Sequence, residues 1–176
     1  MQIAVNLSPV QFRHGDLALR VHQILLESGL APNRLELEIT EGVLIGDFSR
    51  AVSTLRRIKA FGVRISMDDF GTGYSSLSYL QAFPFDKIKI DRTFVSNVDH
   101  NEQSLAIIRG VIGLAKGLDL PVLAEGVENM EQLDCLRGQN CDQVQGYYIG
   151  RPQPISEYAE LVGRPHDPTA ATRVAC

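Results

Sequence analysis

The sequence predicts an α/β fold built on parallel strands, and three observations predict it. Six short apolar runs alternate with longer amphipathic stretches along the 176 residues. A strand–helix alternation of this kind needs crossover helices, which join parallel strands. Helix start and stop signals stand between the runs. Polar residues gather at or just past the carboxyl end of each run, where barrel enzymes assemble their sites loop by loop. Periodicity leaves a doubly wound sheet and a closed barrel both open; the polar residues at six successive strand ends favour the barrel.

The elements follow in chain order. Ile3–Leu7 reads as the first strand and carries Asn6 near its end. Asp16 is an N-cap signal for a helix over Leu17–Ser28, and Gly29 follows as its C′ glycine. Leu35–Ile39 is the second strand, with Glu38, Thr40 and Glu41 at its end, and Ser49–Phe61 is a helix closed by Gly62. Val63–Met67 leads into Asp68 and Asp69, followed by a helix over Ser75–Leu80. In Lys87–Ile90, alternation places Ile88 and Ile90 on one face and Lys87, Lys89 and Asp91 on the other. Glu102–Leu118 is a long helix, and Pro121–Leu123 is a strand leading into Glu125 and Glu128. Met130–Arg137 is a helix, Asp142–Gln145 a strand, and Ser156–Val162 a last helix. One domain is expected over residues 1–162. The tail over 163–176, rich in Pro, Thr and Ala without period, is expected to be disordered.

Composition narrows the function. With 44% hydrophobic and 22% charged residues the chain has the apolar mass for a real core. No apolar stretch approaches the ~20 residues of a membrane helix, and the start has no basic leader, so a cytoplasmic domain is expected. A net charge of −4 argues against binding a nucleic-acid polymer, which needs a basic footprint. It leaves room for a small anion held by a metal. Cys135, Cys141 and Cys176 are odd in number and lack paired Cys-x-x-Cys spacing, which points to reduced thiols and away from zinc. His14, His22, His100 and His166 are scattered and read as surface residues.

The acids carry the chemistry. Glu38, Asp68, Asp69 and Glu125 come from different strands yet converge on one barrel mouth. Carboxylates sharing a small volume cannot all stay ionised without a counter-charge. Either their pKa values rise or divalent cations sit among them, and hard oxygen ligands favour Mg²⁺ or Mn²⁺. The adjacent Asp68 and Asp69 suit two ions, which at ~3.5–4 Å apart clamp the attacking and leaving oxygens of a phosphodiester. Lys89, if it points inward, is paired with these acids and could orient or deprotonate a water. If it points outward, it is a lysine on a half-solvated strand. Gly71 and Gly73 permit a loop that folds close over a ligand.

The motifs Val5-Asn6-Leu7-Ser8, Glu36-Leu37-Glu38-Ile39-Thr40-Glu41, Asp68-Asp69-Phe70-Gly71-Thr72-Gly73-Tyr74-Ser75-Ser76-Leu77, Lys89-Ile90-Asp91-Arg92, Ala124-Glu125-Gly126-Val127-Glu128 and Gln145-Gly146-Tyr147 resemble, in order and spacing, the EAL family of cyclic di-GMP phosphodiesterase domains. The resemblance implies a (β/α)₈ TIM-type barrel whose first strand is antiparallel, of which this chain holds about six of the eight strands. It implies hydrolysis of cyclic di-GMP to linear pGpG with two Mg²⁺ or Mn²⁺ ions. Asn6, Glu38 and Asp68 are then ligands of one ion, and Asp68, Asp69 and Glu125 serve the second. Lys89 holds the nucleophilic water with Gln145 hydrogen-bonding near it, Glu128 has a less defined role in activity, and Glu41 anchors the Asp69–Ser76 loop. A homodimer is implied, and a sensor or GGDEF-type domain upstream.

The family's namesake Glu-Ala-Leu segment lies upstream of the Val-Asn-Leu-Ser strand, where this sequence begins. Its metal-binding glutamate and a nearby phosphate-binding arginine have no counterpart here, and Ala124-Glu125-Gly126 matches a later motif instead. Catalysis by this chain alone is therefore expected to be impaired. The alternative is a non-catalytic cyclic di-GMP receptor, or a protein-interaction regulator, derived from such a domain.

Overall fold

The computed structural model describes residues 2–13, 15–45, 47–72 and 77–158. Six strands, β1 (Ile3–Leu7), β2 (Leu35–Thr40), β3 (Arg64–Phe70), β4 (Lys87–Ile90), β5 (Val122–Glu125) and β6 (Gln143–Gln145), form one sheet in sequential order. Every neighbouring pair is parallel. Helices α1 (Pro9–Arg13), α2 (Leu17–Ser28), α3 (Gly42–Ile45), α4 (Phe48–Ala60), α5 (Leu77–Ala82), α6 (Arg92–Val95), α7 (Glu102–Gly117) and α8 (Met130–Gly138) make the crossovers. The sheet curls into part of a barrel. This is the incomplete α/β barrel expected, and the family's antiparallel strand is not among the six described here.

The sequence dictates which face goes where. On β2 to β5, Leu37, Ile39, Ile65, Met67, Ile88, Ile90, Val122 and Ala124 occupy alternate positions, and all are buried. They pack outward, into one core with Leu55 and Ile58 of α4, Ile108 and Ala115 of α7 and Leu136 of α8. Each such Leu, Ile, Val or Met side chain contributes about 1.5–3 kcal/mol by leaving water. The intervening positions, Glu36, Glu38, Ser66, Asp68, Lys87 and Lys89, face the lumen and are buried too. The lumen of this barrel is therefore charged, and its apolar core lies between sheet and helices.

Local signals behave as their chemistry requires. Asp16 caps α2 by accepting from the Leu19 amide at 3.0 Å, and Gly29 closes it in the left-handed region at φ 66°. Asp47 caps α4 and Asn101 caps α7 in the same way. Three strands run further than the sequence suggested: β2 to Thr40, β3 to Phe70 and β5 to Glu125. Charged residues look like the ends of strands, but here the lumen gives them partners. The short helices α1, α3 and α6 were not foreseen; each is a single turn placed directly after a strand. His22 is not a plain surface residue, since its ring stacks on Phe61 at 4.6 Å. The predicted Ser156–Val162 helix is a 3₁₀ turn over Ile155–Tyr158, and the rest of it, the 163–176 tail, His14, His166 and Cys176 lie outside the described residues. Among the described residues no helix is long and apolar enough to cross a membrane.

Candidate active site in the barrel lumen

Lys89 stands on the lumen face of β4, almost wholly buried. Its Nζ lies 2.7 Å from Glu125 Oε1, 2.8 Å from Glu38 Oε2 and 3.0 Å from Asp68 Oδ1. Strand register explains the convergence. Asn6 stands opposite Glu38, Thr40 opposite Asp68, and Glu125 opposite Gln145. One long side chain from β4 can thus reach acids on β2, β3 and β5. The inward placement of Lys89 is the one the sequence had left open.

Asp69 departs from strand geometry. Its φ is 52°, a conformation uncommon outside glycine, and the β3–β4 register shifts between Met67 and Phe70. The bulge turns two consecutive carboxylates toward one place: oxygens of Asp68, Asp69 and Glu125 all lie within 4.8 Å of one another. The Asp69 amide donates to Asp68 Oδ1 at 3.1 Å, which ties the pair together.

The electrostatics follow from one lysine among several acids. Burial by itself would lower the Lys89 pKa, but its hydrogen bonds to Glu125, Glu38 and Asp68 outweigh that and hold it above the usual lysine range. It is an ammonium at neutral pH. Burial raises the Glu125 pKa and Lys89 opposes the rise. Asp69, which Lys89 does not reach, is pushed up to about 6 by burial, by the Asp68 charge and by a hydrogen bond with Asp91. Asp91 is held low: burial works against its charge, but hydrogen bonds from Thr93 and Asp69 prevail.

Hard oxygen donors converge here with more negative charge than Lys89 neutralises. That arrangement fits divalent cations: Asp68, Asp69 and Glu125 could share one, and Glu38 and Asn6 flank Asp68 for another.

Other expected residues join the cluster less directly. Asn6 and Gln145 are exposed on the outer strands β1 and β6. Glu41 is buried one residue past β2, and residues 73–76 of the loop it was expected to anchor lie outside the described residues. Glu128 is exposed between β5 and α8. Its amide donates to Gln132 Oε1 at 2.7 Å, and among the described residues no ion pair joins its carboxylate to the cluster. Asp91, placed by alternation on the Lys89 face, was given no role at the site. Its position two beyond Lys89 on one face was the signal that it belongs at the site. A second buried pair, Glu36 with Lys87, was also missed; Nζ lies 3.0 and 2.9 Å from the two carboxylate oxygens.

Two glycines allow the mouth to close up. A Cβ on Gly146 would stand 2.2 Å from the Val127 amide nitrogen and carbonyl oxygen, and one on Gly126 would stand 2.5 Å from Arg92 Cβ. Val127 donates to the Gln145 carbonyl and accepts from the Tyr148 amide, both at 3.0 Å, so the loops after β5 and β6 are stitched backbone to backbone.

The sequence model of the EAL domain matches residues 1–152. The chain belongs to the EAL domain family. It is 57% identical over 155 residues, 88% of its length, to a signaling protein of Caulobacter vibrioides, covering 19% of that protein. It is 42% identical over 155 residues, 88% of its length, to MucR of Pseudomonas aeruginosa, a bifunctional diguanylate cyclase/cyclic di-GMP phosphodiesterase, covering 23% of it. The structure of the MucR phosphodiesterase with cyclic di-GMP superposes with a TM-score of 0.84, over 89% of this chain and 63% of that one. The Klebsiella pneumoniae BlrP1 complex with manganese and cyclic di-GMP gives a TM-score of 0.80 at 34% identity, over 86% of this chain and 39% of that one. This EAL chain spans about a fifth of the length of these curated relatives.

Proposed function

We propose that residues 1–162 form the site-bearing part of a cyclic di-GMP phosphodiesterase, which hydrolyses the cyclic dinucleotide to linear pGpG with Mg²⁺ or Mn²⁺. The observation that carries this reading is Lys89 Nζ held at 2.7–3.0 Å by carboxylates from β2, β3 and β5, with Asp69 beside them. The similarity to MucR and BlrP1, both solved with cyclic di-GMP, supports the substrate.

Asn6, Glu38 and Asp68 would hold one cation, and Asp68, Asp69 and Glu125 the second. Such ions supply electrophilic stabilisation of the phosphoryl oxygens. The chain's own residues do the rest. Lys89, kept as an ammonium, donates a hydrogen bond that orients the attacking water, which is the orienting role rather than proton removal. Gln145 gives a second hydrogen bond from β6. The water oxygen attacks phosphorus in line, the P–O3′ bond breaks, and the proton passes to the departing 3′ oxygen. Glu128 contributes from the β5–α8 loop, and Glu41 anchors the loop after Asp69. A homodimer and an upstream sensor or GGDEF-type domain, in a cytoplasmic setting, complete the proposal.

The test is turnover of cyclic di-GMP with Mn²⁺, read by appearance of pGpG, in the chain and in Asp68→Asn. A fall in turnover of about a hundredfold or more on the substitution supports the reading. Turnover unchanged in Asp68→Asn removes it.

A further inference from the structure

We infer that Arg92 is a substrate-binding residue of this site, gripping a phosphate of the dinucleotide at the rim of the lumen. This rests on the phosphodiesterase reading and adds a residue to it. Arg92 follows Asp91 directly, and Asp91 is hydrogen-bonded to Asp69. On its other side it is pressed against the loop carrying Glu125. Gly126 holds φ 75° and comes so near that an added Cβ would stand 2.5 Å from Arg92 Cβ, 3.4 Å from its Cα and 3.7 Å from its Cγ. The root of the side chain is thus held between its own segment, anchored through Asp91, and the loop that bears Glu125. A clamped stem loses less freedom on binding than a free one.

The guanidinium itself is uncommitted. Arg92 is exposed, and among the described residues it makes no ion pair, though Asp91 precedes it and the Gly126 loop that follows Glu125 packs against its stem. Several other arginines are committed: Arg57 to Asp16, Arg109 to Gln139 and Arg151 over the Tyr147 ring. A cyclic dinucleotide carries two phosphodiesters, and only one can sit at the reacting centre. The other remains an anion near a mouth rich in carboxylates, and it needs a fixed cation. A guanidinium offers a fork of donors matched to two phosphate oxygens.

The experiment measures cyclic di-GMP binding by calorimetry in Mn²⁺ for the chain, Arg92→Ala and Arg92→Lys, with Mn²⁺ binding titrated separately. The expected result is a Kd about 10-fold weaker for Arg92→Ala, an intermediate Kd for Arg92→Lys, and unchanged Mn²⁺ affinity in both. Added salt should weaken the unsubstituted chain more than Arg92→Ala. Arg92→Ala binding as tightly as the unsubstituted chain would overturn the inference, as would a parallel loss of Mn²⁺ affinity. If the unsubstituted chain binds Mn²⁺ but no cyclic di-GMP, the functional reading itself falls, and that outcome is told apart by its own titration.

Discussion

Two layers of the same lumen use the same residue types and come to different ends. Toward the amino ends of the strands, Lys87 faces Glu36 alone among the described residues and holds both of its oxygens at 2.9–3.0 Å. Two residues further along the same strands, Lys89 faces Glu38, Asp68 and Glu125 together. The lower layer is electrically closed. The upper layer carries acid in excess, and Asp69, partly buried beside the Asp68 charge, has its pKa pushed up to about 6. Stoichiometry, rather than residue type, separates a structural ion pair from a site that fits cations.

The largest effect expected from breaking this comparison is in the upper layer. Asp68→Asn removes charge from the shared ligand and should lower kcat by about 10²–10³-fold, with the thermal midpoint little changed; steady-state kinetics beside a melting curve would check it. The lower layer should respond in the opposite sense. Lys87→Met leaves Glu36 buried without its counter-charge and should cost about 3–5 kcal/mol of stability, measured by urea unfolding, while kcat per folded molecule holds. The double replacement Glu36→Leu with Lys87→Met should recover most of that loss, since a buried pair exchanged for apolar side chains is often neutral.

The next effect sharpens how the upper layer is framed. Gly146→Ala drives a methyl group into the Val127 backbone, 2.2 Å away, and should cost about 1–3 kcal/mol. Because Gln145 and Glu125 flank the stitched loops, the same substitution should also weaken Mn²⁺ binding. Unaltered Mn²⁺ affinity would detach the loops from the site.

The smallest effect is one of pH. Asp69 in the folded chain carries a proton below about pH 6, and a bound cation must displace it. Mn²⁺ affinity should therefore hold above pH 6 and fall by about tenfold per unit below it, as expected for release of one proton. The sign for stability is the reverse. A carboxyl whose folded pKa is raised favours the fold while protonated, and that contribution is lost as pH rises through about 6. Asp69→Asn should flatten both profiles; a Mn²⁺ titration at several pH values, beside unfolding curves, decides it.

Much of this was legible from residues alone. Alternation in Lys87–Ile90 foretold which face takes the isoleucines, and Asp16 and Gly29 bracketed α2 to the residue. The paired repeats Glu36-Leu37-Glu38 and Lys87-Ile88-Lys89 also held the two-layer arrangement, unread, because a charged residue is ordinarily assigned to solvent. Strand ends at Met67 and Leu123 were drawn too early for the same reason.

What the sequence determined by itself was the set of parallel strands, their helices and the acids placed near the strand ends, because those depend on local periodicity and capping. Tertiary structure alone decided that Lys89 turns inward, that Asp69 takes a left-handed turn away from it, and that Gly126 and Gly146 touch the backbone and side chains of other loops. Those outcomes depend on register between strands far apart in the chain and on charge balance within one enclosed volume, neither of which any single stretch of sequence contains.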